Sequence, residues 1–417
     1  MRILHVIHQY LPDAIGGTEV STHSLSRELQ ARGHAVAVFF PVPGQAPGLE
    51  RDSYEGVPVY RAGATWRDVL GRVRASFGDR ALEAAFAQAL DDFRPDVVHF
   101  QHLIGLPLAL VEQAERAGVA RVFTLHDYWA ICPNAQLLTN YDRTVCAGPK
   151  LWLNCARCAA ARMDRPLLLA AAPAVATLLA VRSRGVRRAL DRMDALIAPT
   201  AFVRDLAGAH GLPVNKIRVI EHGVAIKPVR RQERSSASPV CFIYLGGLAW
   251  QKGVHVIVQA CHDLDPAQAT LTIYGDPRLF PDYVRRLQAE AGPAVRFAGR
   301  LERHQVASAL ATGDMLLMPS LWYENSPVVI LEAMACGLPV AASALGALAG
   351  RIRDGVDGLL LPPGDVAAWR RALTDLALHP ERIAQLRRGI RPIRTLGEQV
   401  AEVEALYATV VREVERR

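Results

Sequence analysis

Two glutamates carry the clearest chemistry in this chain of 417 residues: Glu324 and Glu332, separated by seven residues in the stretch WYENSPVVILEAMACGL, residues 322–338. MLLMPS before it reads as a buried strand, Ser326 as an N-cap, Pro327 as the first helical residue and Gly337 as the residue past the helix end. The leading backbone N–H groups of that helix, those of Val328 and Val329, with the positive end of its dipole, suit an anion such as a diphosphate. Glu324 then lies in the loop ahead of the helix, beside Asn325, and Glu332 about one and a half turns inside it. Carboxylates flanking such a site are poor phosphate ligands but good acceptors for hydroxyl hydrogens, such as those of a hexose and a ribose. A capped helix that merely contains a glutamate is the plainer alternative, and neither acid is needed for such a cap.

Other candidate groups stand at strand ends. Gly16 and Gly17 follow the first strand and open the first helix, where backbone can approach a substrate with no side chain intervening. Lys252, in QKG after one strand and ahead of a helix, puts a flexible cation where it can meet a diphosphate. His126 and Asp127 end the strand RVFTLHD, and a histidine there can donate to a hexose hydroxyl or help to place the sugar. Read as plain structure, these are a turn, a solvated lysine and a histidine bonded to backbone. The acids of DLD, residues 263–265, precede Pro266 in a surface turn and are set aside as metal ligands.

On these residues the chain resembles glycosyltransferase family 4, retaining nucleotide-sugar transferases whose signature is a Glu, seven residues and a Glu. The blocks YLGGLAWQKGVHVIVQA (244–260), YGDP (274–277), VRFAG (295–299), GDMLLMPS (313–320), GLPVAAS (337–343) and DGVDGLLLPPGD (354–365) extend the resemblance over most of the second half. It implies an α/β chain of GT-B fold, with two Rossmann-like doubly wound domains facing across a cleft. It also implies a nucleotide diphosphate sugar as donor substrate, with no catalytic metal required. Glu324 would then contact the hexose and Glu332 the ribose. Gly246, Lys252 and the loop Asn325, Ser326, Pro327, Val328 and Val329 would face the diphosphate. Gly16, Gly17 and Glu19 match the family's GG-x-E loop, and His126 its active-site histidine. The usual proposal for such retaining enzymes, same-face attack by the acceptor, makes Glu324 a sugar binder and charge stabiliser rather than a covalent nucleophile. Two positions depart from the pattern: Gly247 stands where an Arg often accompanies the lysine, with Arg300 as a candidate replacement, and Gly350 stands where GALAG lacks a Glu. The implied activity is transfer to a glycan or lipid-linked acceptor, on polyprenol or glycolipid, in cell-surface polysaccharide or glycolipid biosynthesis. The alternatives are a soluble disaccharide or storage-glucan synthase and a catalytically silent nucleotide-sugar or glycan binder.

The elements that must position these groups follow from length and pattern. A chain of 417 residues fits two domains of about 200 residues. Apolar runs alternating with helical segments indicate mainly parallel sheets covered on both faces. The first domain is assigned to residues 1–227, the polar, proline-punctuated 228–239 to a linker, 240–395 to the nucleotide-sugar domain and 396–417 to a helix returning to the first domain. A net charge of +7 suits an anionic substrate or membrane surface better than nucleic acid, for which no recognition pattern is present. MRILHVIHQY has no long apolar region or cleavage site, so a cytoplasmic protein with reduced cysteines is expected, on the membrane face if it binds lipid.

Four of the seven cysteines, Cys132, Cys146, Cys155 and Cys158, fall in an insert at 130–158. They read as free thiols or as a tetrahedral structural zinc site, the C-x-x-C pair fitting a knuckle and the longer spacings not fitting a standard finger. The following segment, 166–192, joins PLLLAAAPAVATLLAV to an arginine-rich stretch. It is short for a spanning helix, which needs about 20 apolar residues, and reads either as an interfacial helix beside anionic headgroups or as a core helix.

Overall fold

The computed structural model describes residues 1–226, 229 and 238–417. Most of the linker expected at 228–239 therefore lies outside the described residues. The chain forms two compact units, one of Met1–His222 with Thr395–Arg417 and one of Gly223–Arg394. Residues 223–226, assigned above to the first domain, group with the second: Val224 N–H donates to Arg394 O at 3.0 Å, and Ile226 packs on that unit's core.

The first unit is built on strands β1 (Arg2–Val6), β2 (Ala35–Pro43), β3 (Leu49–Tyr54), β4 (Val57–Ala64), β5 (Val97–Phe100), β6 (Ala120–Thr124), β7 (Ala195–Ala198) and β8 (Ile217–Val219). They form one sheet in the order β3-β4-β2-β1-β5-β6-β7-β8, parallel except for β3 on β4. The near-continuous apolar runs of β1, β5, β6 and β7 are what a sheet covered on both faces requires. Strand β3, LERDSY, is a charged edge strand closed by Glu55 and Gly56, both at positive φ (45° and 79°).

The last helix, Leu396–Glu415, belongs to this unit. Thr395 and Glu398 cap it reciprocally, and Val400, Val403, Tyr407 and Val410 are buried among Ile3, Leu25, Val97 and Val122.

The second unit holds β9 (Val240–Leu245), β10 (Ala269–Tyr274), β11 (Val295–Gly299), β12 (Met315–Met318), β13 (Val340–Ser343) and β14 (Gly358–Leu361). All are parallel, in the order β11-β10-β9-β12-β13-β14. Among the parallel strands of each unit the chain order reverses at one place, between β1 and β5 and between β9 and β12. The carboxyl ends of strands at such a reversal are where open α/β sheets bind ligands.

Residues 166–192 form a short 3-10 turn, Pro166–Leu169, and the helix Ala172–Asp191. The core-helix alternative is corrected here, because Leu167 is 88% and Leu178 49% exposed. The arginines also divide: Arg184, Arg187 and Arg188 are exposed, whereas Arg182 is buried. Among the described residues no helix is long and apolar enough to cross a membrane.

Candidate active site

In the second unit, the segments that follow the adjacent strands β9 and β12 bring Lys252 and Glu324 together. The turn Trp250–Lys252 ends at Gly253, whose φ is +69°, and a Cβ there would lie 1.8 Å from Pro319 O. Only glycine permits that approach. A backbone bond from Leu321 N to Gln251 O, 2.8 Å, closes the same contact. Lys252 Nζ then lies 2.9 and 3.0 Å from the two oxygens of Glu324 and 4.9 Å from the Trp322 ring centroid. Ser320 Oγ and Trp322 Nε1 also donate to Glu324 Oε1, at 2.7 and 2.9 Å. Burial alone would push the Glu324 carboxyl up, but the Lys252 charge and these donors outweigh it and hold the group below its ordinary value.

The helix after this loop runs from Val328 to Ala335. Its N-cap is Pro327 rather than Ser326, because Pro327 has an extended ψ of 107° and no side chain caps the helix. The amides of Val328 and Val329 therefore open the helix and have no intrahelical acceptor. Asn325 and Ser326 are half-buried in the loop before it. At the far end Gly337, φ +75°, and the bond from Leu338 N to Ala333 O (2.9 Å) stop the helix. Glu332, 3% exposed, points to Arg303, which pairs with its Oε1. Burial pushes the Glu332 carboxyl up, and Arg303 only partly offsets this.

Gly246 packs where a Cβ would meet the Tyr244 hydroxyl at 3.0 Å, and that hydroxyl donates to Gly247 O. Gly247 and Gly350 are exposed with nothing within 4 Å of an added Cβ, so the side chains missing there are not excluded by crowding. Arg300 is exposed and lies 3.8 Å from Glu302.

In the first unit the candidate groups follow β1, β5 and β6. Gly16 is the N-cap of helix Gly17–Ala31, and Glu19, 2% exposed, turns back toward it and accepts from Gln9 Nε2 at 3.2 Å. His126 Nε2 is 2.6 Å from Gln101 Oε1, an atom that only accepts, so the ring proton sits on Nε2 and Nδ1 keeps its lone pair. With this tautomer Nδ1 is an acceptor. Burial, then the neighbouring histidines, push its pKa well below the ordinary value. Gln101 Nε2 in turn approaches His5 Nδ1 and His99 Nδ1 at 3.0 and 3.1 Å, and His99 Nδ1 meets the Tyr407 hydroxyl at 2.6 Å. Asp127 accepts from His102 Nε2 and from Trp129 N–H, both at 2.8 Å. Sequence reasoning missed Ser320, Trp322, Arg303, Gln101 and His102. Only the pairing of β5 with β6, which sets 97–100 beside 120–123 and so brings the residues after both strands to one edge of the sheet, signals the last two.

Cys132, Cys146 and Cys158 lie in electrostatic range of Cys155, whose thiol is pushed up to about 12 by burial and then by those neighbours. Among the described residues no three His, Cys, Asp or Glu side chains are placed to hold a metal ion. Cys158 and Cys146 accept instead from backbone N–H groups of Asn140 and Gly148, both at 3.4 Å.

Comparison with known proteins gives the family. Residues 15–227 match the family model described as Glycosyltransferase Family 4, and residues 239–379 the one described as Glycosyl transferases group 1. The 2-deoxystreptamine N-acetyl-D-glucosaminyltransferase of Streptomyces fradiae is 30% identical over 89% of this chain and 84% of its own. The glycogen synthase of Mycobacterium tuberculosis is 28% identical over 91% and 87%. Among solved structures, sucrose-phosphate synthase from Thermosynechococcus elongatus superposes with a TM-score of 0.72 at 18% identity, covering 99% of this chain and 100% of that one. With two Rossmann-like sheets in the described residues, that likeness gives the GT-B fold. A family match spanning more than half of the chain, joined to a relative 30% identical over nearly its whole length, makes this protein a member of glycosyltransferase family 4.

Proposed function

We propose that this GT-B glycosyltransferase, whose donor is a nucleotide diphosphate sugar, is a retaining hexosyltransferase acting on a hydroxyl of a soluble sugar or glycan. The observation that carries this reading is the Lys252 ammonium shared between both oxygens of buried Glu324 at the β9–β12 reversal. A lysine there can move from carboxylate to diphosphate as the donor enters, neutralising the leaving group while Glu324 turns to the hexose. Glu332 serves the ribose, with the Val328 and Val329 amides on the phosphates. His126, through Nδ1, accepts from a sugar hydroxyl. Relatives named for glycogen and for 2-deoxystreptamine favour synthesis of a glucan or a small glycoside over a cell-surface polymer.

The test is a panel of nucleotide sugars scored by thermal stabilisation, followed by product analysis with the best donor. A ligand at 100 times its dissociation constant stabilises by roughly 2.7 kcal/mol. Retention of the donor's anomeric configuration is expected. An inverted product, or no stabilisation by any nucleotide sugar, would overturn the reading. A lipid-linked acceptor is the second reading, favoured by exposed Leu167, Leu169, Leu178 and Val181 beside exposed arginines.

A further inference from the structure

Two arginines of the first unit, one buried and one half-buried, have no counter-ion bonded to them among the described residues. Arg182, on helix Ala172–Asp191, is only 7% exposed, and its guanidinium carbon lies 4.9 Å over the Trp129 ring. Among the described residues its side chain makes no hydrogen bond or ion pair. Arg72, on helix Val69–Ala75, is half-buried, and its Nε is fully covered with no hydrogen-bond partner. Its stem is pressed against Gly105, where an added Cβ would lie 2.7 Å from Arg72 Cγ. Burial pushes both guanidiniums down, that of Arg182 to about 10, which leaves both charged at neutral pH.

A buried charge without a bonded partner is costly, and proteins retain one where a ligand completes it. Asp127 is in electrostatic range of both arginines. Its oxygens, however, are already engaged, Oδ2 by His102 and Oδ1 by the Trp129 amide. Arg162, exposed and in range of Arg72, adds a third positive charge. We propose that Arg72 and Arg182 bind an anionic substituent of the acceptor, a phosphate monoester or a carboxylate, beside Asp127 at the carboxyl ends of β5 and β6. This rests on the first unit being the acceptor side. A guanidinium fork suits either anion, and a neutral acceptor would leave both forks unsatisfied, which gives selectivity for charged acceptors.

The experiment titrates the full chain by calorimetry with inorganic phosphate, with glucuronate and with glucose as the neutral control. Each titration is run alone and again with the donor site filled by the nucleoside diphosphate that stabilises the protein most. At least one anion should bind wild type, glucose should not, and Arg72→Gln and Arg182→Gln should each weaken the anion by about tenfold or more with nucleotide affinity unchanged. Phosphate binding alone assigns a phosphorylated acceptor; glucuronate binding alone assigns an acidic sugar. Arg182→Met separates function from packing. Loss of a buried charge that no protein group pairs should keep or raise Tm while anion binding is lost, whereas a purely structural stack on Trp129 gives a lower Tm with anion binding intact. That second pattern, absence of binding by both anions, or equal binding by wild type and both Gln variants would overturn the proposal. Failure of the donor reading shows separately, as absence of nucleotide binding in wild type.

Discussion

Glu324 keeps its charge inside the protein because Lys252, Ser320 and Trp322 all donate to it, whereas among the described residues Glu332 pairs with Arg303, whose own side chain is 51% exposed. The two acids thus stand in different states before any ligand arrives. Arg303 can return to water when a ribose takes its place, because its own side chain is already half in solvent and the ribose hydroxyl then meets the buried carboxylate. Lys252 leaves Glu324 only when a stronger anion offers itself. Glu332→Ala is therefore expected to weaken the free nucleoside diphosphate by roughly 1.5 to 3 kcal/mol, the worth of a hydrogen bond to a charged group. Glu324→Ala should leave that affinity nearly unchanged and lower turnover with the complete donor. Calorimetry with the nucleotide and initial rates with the donor separate the two, and equal nucleotide affinities in wild type and both variants would reject the assignment. The pair was legible in the sequence because its spacing survives as a linear pattern. Its hydrogen-bond partners were not, since Arg303 reaches Glu332 from the start of a different helix and no local spacing links them.

At the scale of elements, the QKG turn is held by one backbone contact. Gly253→Ala would place a methyl group against Pro319 O in a conformation that costs a non-glycine residue about 1–2 kcal/mol even in open space. A lower denaturant midpoint is expected together with slower donor turnover, because the turn that aims Lys252 must shift; an unchanged midpoint would show that the contact relaxes freely. The helix Ala172–Asp191 presents a second case. Exposed Leu167, Leu169 and Leu178 supply apolar contact, and exposed Arg165, Arg184 and Arg188 supply attraction to anionic headgroups at about 1 kcal/mol each near a surface. Replacing those three arginines by Gln should reduce sedimentation with anionic vesicles and make the remainder less salt-sensitive. Wild-type protein that ignores such vesicles would exclude the lipid-surface role. The apolar run followed by arginines located this helix but could not say which arginine faces inward, because apolar residues and arginine stems cover similar surface. Strand β3 escaped notice for the opposite reason, being an edge strand of charged residues closed by Glu-Gly rather than by a more familiar turn pair.

For the molecule as a whole, the alternation of apolar runs with helices made two doubly wound units legible, while the polar network that ties the last helix to the first sheet had no linear trace. Tyr407, from the helix Leu396–Glu415, bonds His99, which meets Gln101, which joins His5 and His126; Gln399 of the same helix meets His222 at 3.3 Å. Burial pushes His5 down to about 3 and His222 to about 4, and holds His8, His99 and His126 well below the ordinary value of 6.5. Between those folded values and 6.5 the unfolded chain binds more protons, so stability is complete above about pH 6.5 and falls as the pH drops toward the folded values. By pH 4 the loss is on the order of 3 kcal/mol for a histidine such as His222, a large share of the roughly 5–15 kcal/mol that holds a domain. Glu19 and Glu332, raised by burial, act the other way over a higher-than-usual carboxyl range and offset part of this loss. Melting measured from pH 8 to pH 5 should therefore show Tm falling once the pH passes below about 6.5, before ordinary carboxylates titrate. His222→Gln, which keeps an acceptor for Gln399 and removes one titrating ring, should make that fall shallower without moving its onset. A Tm that stays level down to pH 5 would mean that the buried rings are not what limits the acid stability of the first unit.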